Sequence, residues 1–110
     1  MLAATLRDLD ATIFVCERDD VLLGFCTVRI DRALPIRVEA QRAEITDLMV
    51  RARERRRGVG RALVERALIW VEERGVERCE IRVASRNAEG QRFWRSIGFD
   101  DWMDVLHRRL

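Results

Sequence analysis

The stretch AEITDLMVRARERRRGVGRA, Ala43 to Ala62, decides how this chain is read. Ala43 to Val50 reads as a strand, Arg51 to Arg57 as a basic turn, and a helix opens at Gly58-Val59-Gly60. Five of the seven turn residues are arginines: Arg51, Arg53, Arg55, Arg56 and Arg57. A helix N-terminus carries unpaired N–H groups and partial positive charge, so cations are unfavourable there unless an anion joins them. A phosphate is such an anion, and Gly58 and Gly60 place no side chain in its way. An arginine run alone also describes a solvated turn. A solvated turn has no need of the glycine spacing.

Composition narrows the alternatives. The chain has 110 residues, enough for one small domain with a single core. Hydrophobic residues make up 48% and charged residues 36%, within the range of globular proteins. The net charge is only +2, so the basicity is local, which argues against general nucleic-acid binding. Every one of the 21 basic residues is arginine. A Walker-type phosphate loop needs a lysine, so that chemistry is excluded. Cys16, Cys26 and Cys79 are an odd set with no C-x-x-C pair, which fits buried thiols in a reducing compartment and neither a disulfide framework nor a zinc site. No apolar run has membrane-spanning length, and no basic-then-apolar export signal opens the chain. These features predict a cytoplasmic protein without a membrane or nucleic-acid partner.

Residues 1–8 place Leu2 and Leu6 four apart and predict a short helix. Ala11 to Glu17 and Val21 to Ile30 predict two strands joined by a turn at Asp19-Asp20, and Gly24 suggests a bulge or a close contact. Asp31 to Arg42, with the only proline, Pro35, reads as the loop before the Ala43 strand. From Gly58 to Arg74, the spacing of Val59, Leu63, Ala67, Trp70 and Val71 predicts a helix with one buried stripe, ended by Gly75. Cys79 to Ser85 alternates as a strand, so strand, helix and strand form a parallel crossover. Asn87 suits the N-cap of a helix that ends at Ile97-Gly98, with Phe99 packing back. Asp100 to Leu110 reads as a last strand with Val105 and His107 on one face.

Arg55 to Gly60, RRRGVG, resembles the R/Q-x-x-G-x-G/A signature of the GNAT superfamily, the acetyl-CoA-dependent N-acetyltransferases. Support comes from ITDLMV (Ile45 to Val50), ERGVE (Glu73 to Glu77) and the N-x-x-G-x-x-F-W-x-x-x-G-F pattern from Asn87 to Phe99. The likeness covers Ala11 to Leu110. It implies an α/β (α+β) fold: antiparallel hairpins followed by a β-α-β-α-β unit in one mixed, twisted sheet, with helices on both faces. It also implies a single domain over residues 1–110 that lacks the family's usual first strand and helix.

The resemblance further implies that two parallel strands splay apart and receive coenzyme A. Backbone groups of Leu48, Met49 and Val50 would pair with pantetheine. Backbone N–H groups of Arg55, Arg56, Arg57, Gly58, Val59 and Gly60, with Arg61 and Ala62, would hold the pyrophosphate. Asn87, Phe93 and Trp94 would line the far side. The implied reaction moves an acetyl group from acetyl-CoA directly to a primary amine of a small molecule or protein, with no metal. Glu44 is the first candidate base, because protein-modifying members carry a glutamate at the matching place, and Asp47 is the second. Strict alternation would put these two on opposite strand faces. Many relatives have a tyrosine acid where Trp94 stands, and this chain has no tyrosine. His107, the single histidine, reads as structural. The alternative function is a catalytically degenerate acyl-CoA-binding or regulatory module. An exposed sheet edge suggests a homodimer.

Overall fold

The computed structural model describes residues 2–4, 10–32 and 41–110. The elements are β1 (Leu2–Ala4), β2 (Ala11–Arg18), β3 (Val21–Arg32), β4 (Gln41–Val50), a 3-10 turn (Ala52–Glu54), α1 (Val59–Glu73), β5 (Cys79–Ile81) and α2 (Ala88–Ser96). The strands form one mixed sheet in the order β1-β2-β3-β4-β5. Pairing is antiparallel up to β4 and parallel between β4 and β5.

Asp19 and Asp20 both take positive φ, 52° and 63°, and close the β2–β3 hairpin in a tight two-residue turn. Gly24 satisfies both expectations for it. The β2–β3 register slips beside it, pairing Cys16 with Gly24 but Glu17 with Leu22. A Cβ at Gly24 would also lie 2.6 Å from the Met49 carbonyl oxygen. One sheet face carries Phe14, Cys26, Val28, Ile30, Ala43 and Ile45, and α1 covers it with Leu63, Val64, Ala67, Trp70 and Val71. The predicted helical stripe is therefore the packed one, with Val64 added and Val59 half-buried. Gly75 and Gly98 take positive φ, 74° and 100°, at the ends of α1 and α2. Phe99 folds back on α2, its N–H donating to the Trp94 carbonyl at 3.1 Å.

Three expectations change. Leu2–Ala4 is a strand, not part of a helix, and pairs with Phe14–Cys16. A helix of about eight residues is marginal alone, whereas the β2 edge offers a ready ladder; residues 5–9 lie outside the described set. The loop expected over Asp31–Arg42 is shorter, because β3 runs to Arg32 and β4 begins at Gln41, with Pro35 outside the described residues. The strand expected over residues 100–110 does not form. That segment is exposed throughout and has no ladder partner among the described residues, so alternation alone does not make it a strand.

Candidate functional site

Strands β4 and β5 stay together for only three pairs: Ala43 with Cys79, Glu44 with Glu80 and Ile45 with Ile81. β5 ends at Ile81, four residues short of the predicted Ser85, while β4 continues to Val50. From Thr46 onward β4 therefore has no neighbour on its β5 side among the described residues. The unpaired stretch Asp47–Val50 presents a row of backbone donors and acceptors to the gap.

The basic turn stands at the same end. It starts where β4 stops and delivers the chain to α1. Arg56 and Gly58 both take left-handed backbone conformations, with φ of 65° and 83°. Gly58 is the N-cap and provides no side-chain cap, and the first turn of α1 holds no acidic residue. Ala62 N–H is the first to find a helical carbonyl, that of Gly58, at 3.0 Å. The N–H groups ahead of it have no intrahelical acceptor. Nothing lies within 4 Å of a Cβ built on Gly58, so the approach to the turn is open. Successive N–H groups around left-handed residues form a concavity suited to an anion.

Glu54 shapes this turn, and the sequence reading did not single it out. It is buried among arginines, 2.7 Å from Arg18 and 4.0 Å from Arg57. Arg51 donates to the Leu22 carbonyl. All five arginines are exposed, and two of them, Arg51 and Arg57, also contact the turn and its flank. The one acid embedded in the arginine run was the available signal for Glu54.

A β-bulge governs the two carboxylates. Thr27 pairs with Asp47 but Val28 pairs with Ile45, so Thr46 is the extra residue. The bulge reverses the alternation along β4. Ala43 and Ile45 face α1 before it, and Leu48 packs against the same core after it. Asp47 therefore falls on the same face as Glu44, which corrects the expectation of opposite faces. The Thr27 hydroxyl donates to Asp47 Oδ2 at 2.8 Å and lies 2.6 Å from the Thr46 hydroxyl. Thr27 has one proton to give, so Thr46 is the donor in that second contact.

Glu44 is buried, with Oε1 accepting from Arg29 at 2.8 Å and Oε2 3.4 Å from Arg82. Asp47 is exposed, and Thr27 is the residue bonded to it. Arg29, Glu44, Ile45, Thr46, Ile81 and Arg82 line a depression at the point where β4 and β5 part.

On the far side of the gap, α2 places its residues unequally. Phe93 reaches the start of α1, its Cζ 3.3 Å from a Cβ built on Gly60, where Val50 also comes within 3.5 Å. Trp94 is in the core, edge-on to Phe93 and Phe99 at 5.0 and 5.2 Å between ring centres. Asn87 caps α2, its side-chain oxygen accepting from Gly90 N–H at 2.9 Å. His107 lies in the exposed C-terminal segment. Among the described residues, no group of three His, Cys, Asp or Glu side chains is placed to hold a metal, and no helix is long and apolar enough to cross a membrane.

The sequence matches the model of the acetyltransferase (GNAT) family over residues 2–99. It is 31% identical over 100 residues to a mycothiol acetyltransferase of Thermobispora bispora, covering 90% of this chain and 34% of that protein. It is 32% identical over 109 residues to an uncharacterized N-acetyltransferase of Methanocaldococcus jannaschii, covering 93% of this chain and 47% of that one. The chain thus spans between a third and a half of these two relatives. Among solved structures, an aminoglycoside N-acetyltransferase, AAC(6')-Iy, in complex with CoA superposes with a TM-score of 0.80 at 20% identity, over 92% of this chain and 76% of that one.

Proposed function

Since this chain belongs to the acetyltransferase (GNAT) family, we propose that it is an N-acetyltransferase that moves an acetyl group from acetyl-CoA to a primary amine in a ternary complex. The observation that carries this reading is the parting of β4 from β5 after Ile45 and Ile81, beside an open, uncapped start of α1. Pantetheine enters that gap and pairs, like an added strand, with the backbone of Leu48, Met49 and Val50. The pyrophosphate rests on N–H groups from Arg56 to Arg61; those of Arg55 and Ala62, expected to join them, are already given to the Ala52 and Gly58 carbonyls at 3.4 and 3.0 Å. Phe93 forms the α2 wall of the gap. Trp94 supports that wall from the core, and Asn87 fixes where the helix starts.

The amine attacks the thioester carbonyl and forms the C–N bond, and the C–S bond then breaks as the carbonyl re-forms and the thiolate leaves. A β4 N–H beyond the bulge stabilises the oxyanion. The attacking nitrogen loses its proton to Asp47, directly or through one water, since among the described residues only one Asp47 oxygen is engaged while both Glu44 oxygens face arginines. Glu44 holds Arg29 and Arg82 in place. With no tyrosine in the chain, the thiolate takes its proton from solvent.

The reading is tested by thermal unfolding with and without coenzyme A, followed by thiol release from acetyl-CoA with an amine panel. A ligand at 100 times its Kd raises stability by about 2.7 kcal/mol. No shift at millimolar coenzyme A overturns the reading. A shift without thiol release from any amine leaves the binding module instead. The cytoplasmic, homodimeric form belongs to the same proposal. Trp102, Met103, Val105 and Leu106 are all exposed in one short run, a surface that a second copy would cover. Light scattering on the purified chain reads the dimer directly.

A further inference from the structure

The depression beside the β4–β5 split has a charge pattern that selects its acceptor. Glu44 lies at its floor, with Arg29 on one side and Arg82 on the other. Arg29 is committed: its Nη2 donates to Glu44 at 2.8 Å, and its Nε lies 3.6 Å from Asp31. Arg82 is not. It follows Ile81, the last residue of β5, so it stands at the mouth of the gap. Its Nε is 3.4 Å from Glu44 Oε2, a looser contact than the 2.8 Å bond from Arg29, and Glu44 is its one ion-pair partner among the described residues. Its side chain is 73% exposed. Asp47 stands on the same face, about two residues further along β4, and among the described residues only one of its oxygens is engaged, by Thr27.

An open guanidinium and an open carboxylate on one face suit a ligand carrying both charges. We infer that the acceptor is an amino acid or a related amine bearing a carboxylate, with its nitrogen toward Asp47 and its carboxylate on the Arg82 fork. The inference rests on the acetyl-transfer reading above and adds the acceptor class to it. A guanidinium suits a planar carboxylate because two parallel N–H groups meet two oxygens. A polycation has no such place here, because Glu44 is already paired and Asp47 offers a single site.

The test pairs each of glycine, β-alanine and 4-aminobutyrate with its own amide as acceptor, and adds an aminoglycoside as the polycation. Thiol release from acetyl-CoA gives kcat and KM. At least one acid is preferred over its amide by about tenfold or more in kcat/KM, the difference lying in KM. Arg82→Gln brings that ratio toward one, and Arg82→Lys restores part of it. Preference for the amides or the aminoglycoside, or an acid preference that survives Arg82→Gln, overturns the inference. Calorimetric binding of the same acids to the protein with coenzyme A separates the two levels. Arg82-dependent binding without any thiol release keeps the acceptor site and removes the acetyl-transfer reading. Thiol release from amides alone, with no binding of acids, does the reverse.

Discussion

Asp47 shares a sheet face with Glu44 although three positions separate them along β4. The extra residue Thr46 absorbs the half-turn, and the Thr27 hydroxyl ties the displaced Asp47 at 2.8 Å. The two acids therefore compete for the same reaction, and their surroundings divide the work. Asp47→Asn keeps the size and the Thr27 contact but removes the proton acceptor. It lowers kcat by about a hundredfold or more with little change in thermal midpoint. Glu44→Gln weakens the anchor of Arg29 and Arg82 and shows first as lost stability, about 1–2 kcal/mol by urea titration. A larger kcat loss in Glu44→Gln than in Asp47→Asn reverses the assignment.

Gly60 separates binding from folding. Its φ is not in the left-handed region, so alanine suits the helix and even favours it by up to about 1 kcal/mol. The added methyl would lie 3.3 Å from Phe93 and 3.5 Å from Val50, tightening the gap between α1, α2 and the end of β4. Gly60→Ala keeps the thermal midpoint within a few degrees and raises KM for acetyl-CoA severalfold. Gly58→Ala differs, because its φ of 83° costs a non-glycine residue about 1–2 kcal/mol even in open space. An unchanged KM in Gly60→Ala would mean that coenzyme does not pass there.

Local chemistry made most of this legible in the sequence. The αL turn at Asp19-Asp20, the α1 stripe, the Asn87 cap and the Gly98-Phe99 ending follow from rules that act over a few residues. The basic turn was legible too, because arginines in front of a helix conflict with its dipole. What could not be read was set by partners distant in sequence. Leu2–Ala4 is a strand because β2 lies beside it, and residues 100–110 are not, because no strand pairs with them among the described residues. The face of Asp47 depended on a bulge fixed by Thr27, 20 residues earlier. Glu44 was placed between Arg29 and Arg82 only by the β3 and β5 pairings. The aromatic pair was read as one unit, yet Trp94 turned inward while Phe93 met Gly60.

Gly24 joins the fold to the proposed cofactor path. It sits opposite Val50 in the β3–β4 ladder and beneath Leu63 of α1. An alanine there would bring its methyl to 2.6 Å from the Met49 carbonyl oxygen, a backbone atom that moves only with its strand. Gly24→Ala destabilises the protein by about 1–3 kcal/mol. It also displaces the edge at Met49 and Val50, so KM for acetyl-CoA rises even at temperatures where the variant is fully folded. A stability loss with no change in KM would detach that edge from coenzyme binding.

The cysteines give the protein an alkaline limit that composition makes unusually clean to read. Burial, then the neighbouring Cys79 thiol and the Asp47 carboxylate, push Cys26 from 9.0 up to about 12. Burial raises Cys79 to about 12 as well, aided by Glu80 and Glu44 and opposed by a backbone hydrogen bond with Ile45. In the unfolded chain both thiols ionise near their ordinary value, while the folded chain keeps them neutral. Above pH 9 the unfolded state therefore binds fewer protons, and stability falls as pH rises toward 12. The slope approaches about 1.4 kcal/mol per pH unit for each thiol. The chain has no lysine and no tyrosine, and arginine stays charged, so no other side-chain type titrates across that window. Urea unfolding between pH 8 and 11 should show stability level at first and then declining, and Cys79→Ala should lose close to half of the decline. A flat profile would mean that Cys26 and Cys79 ionise in the folded protein as readily as in water, which their positions in and against the core do not permit.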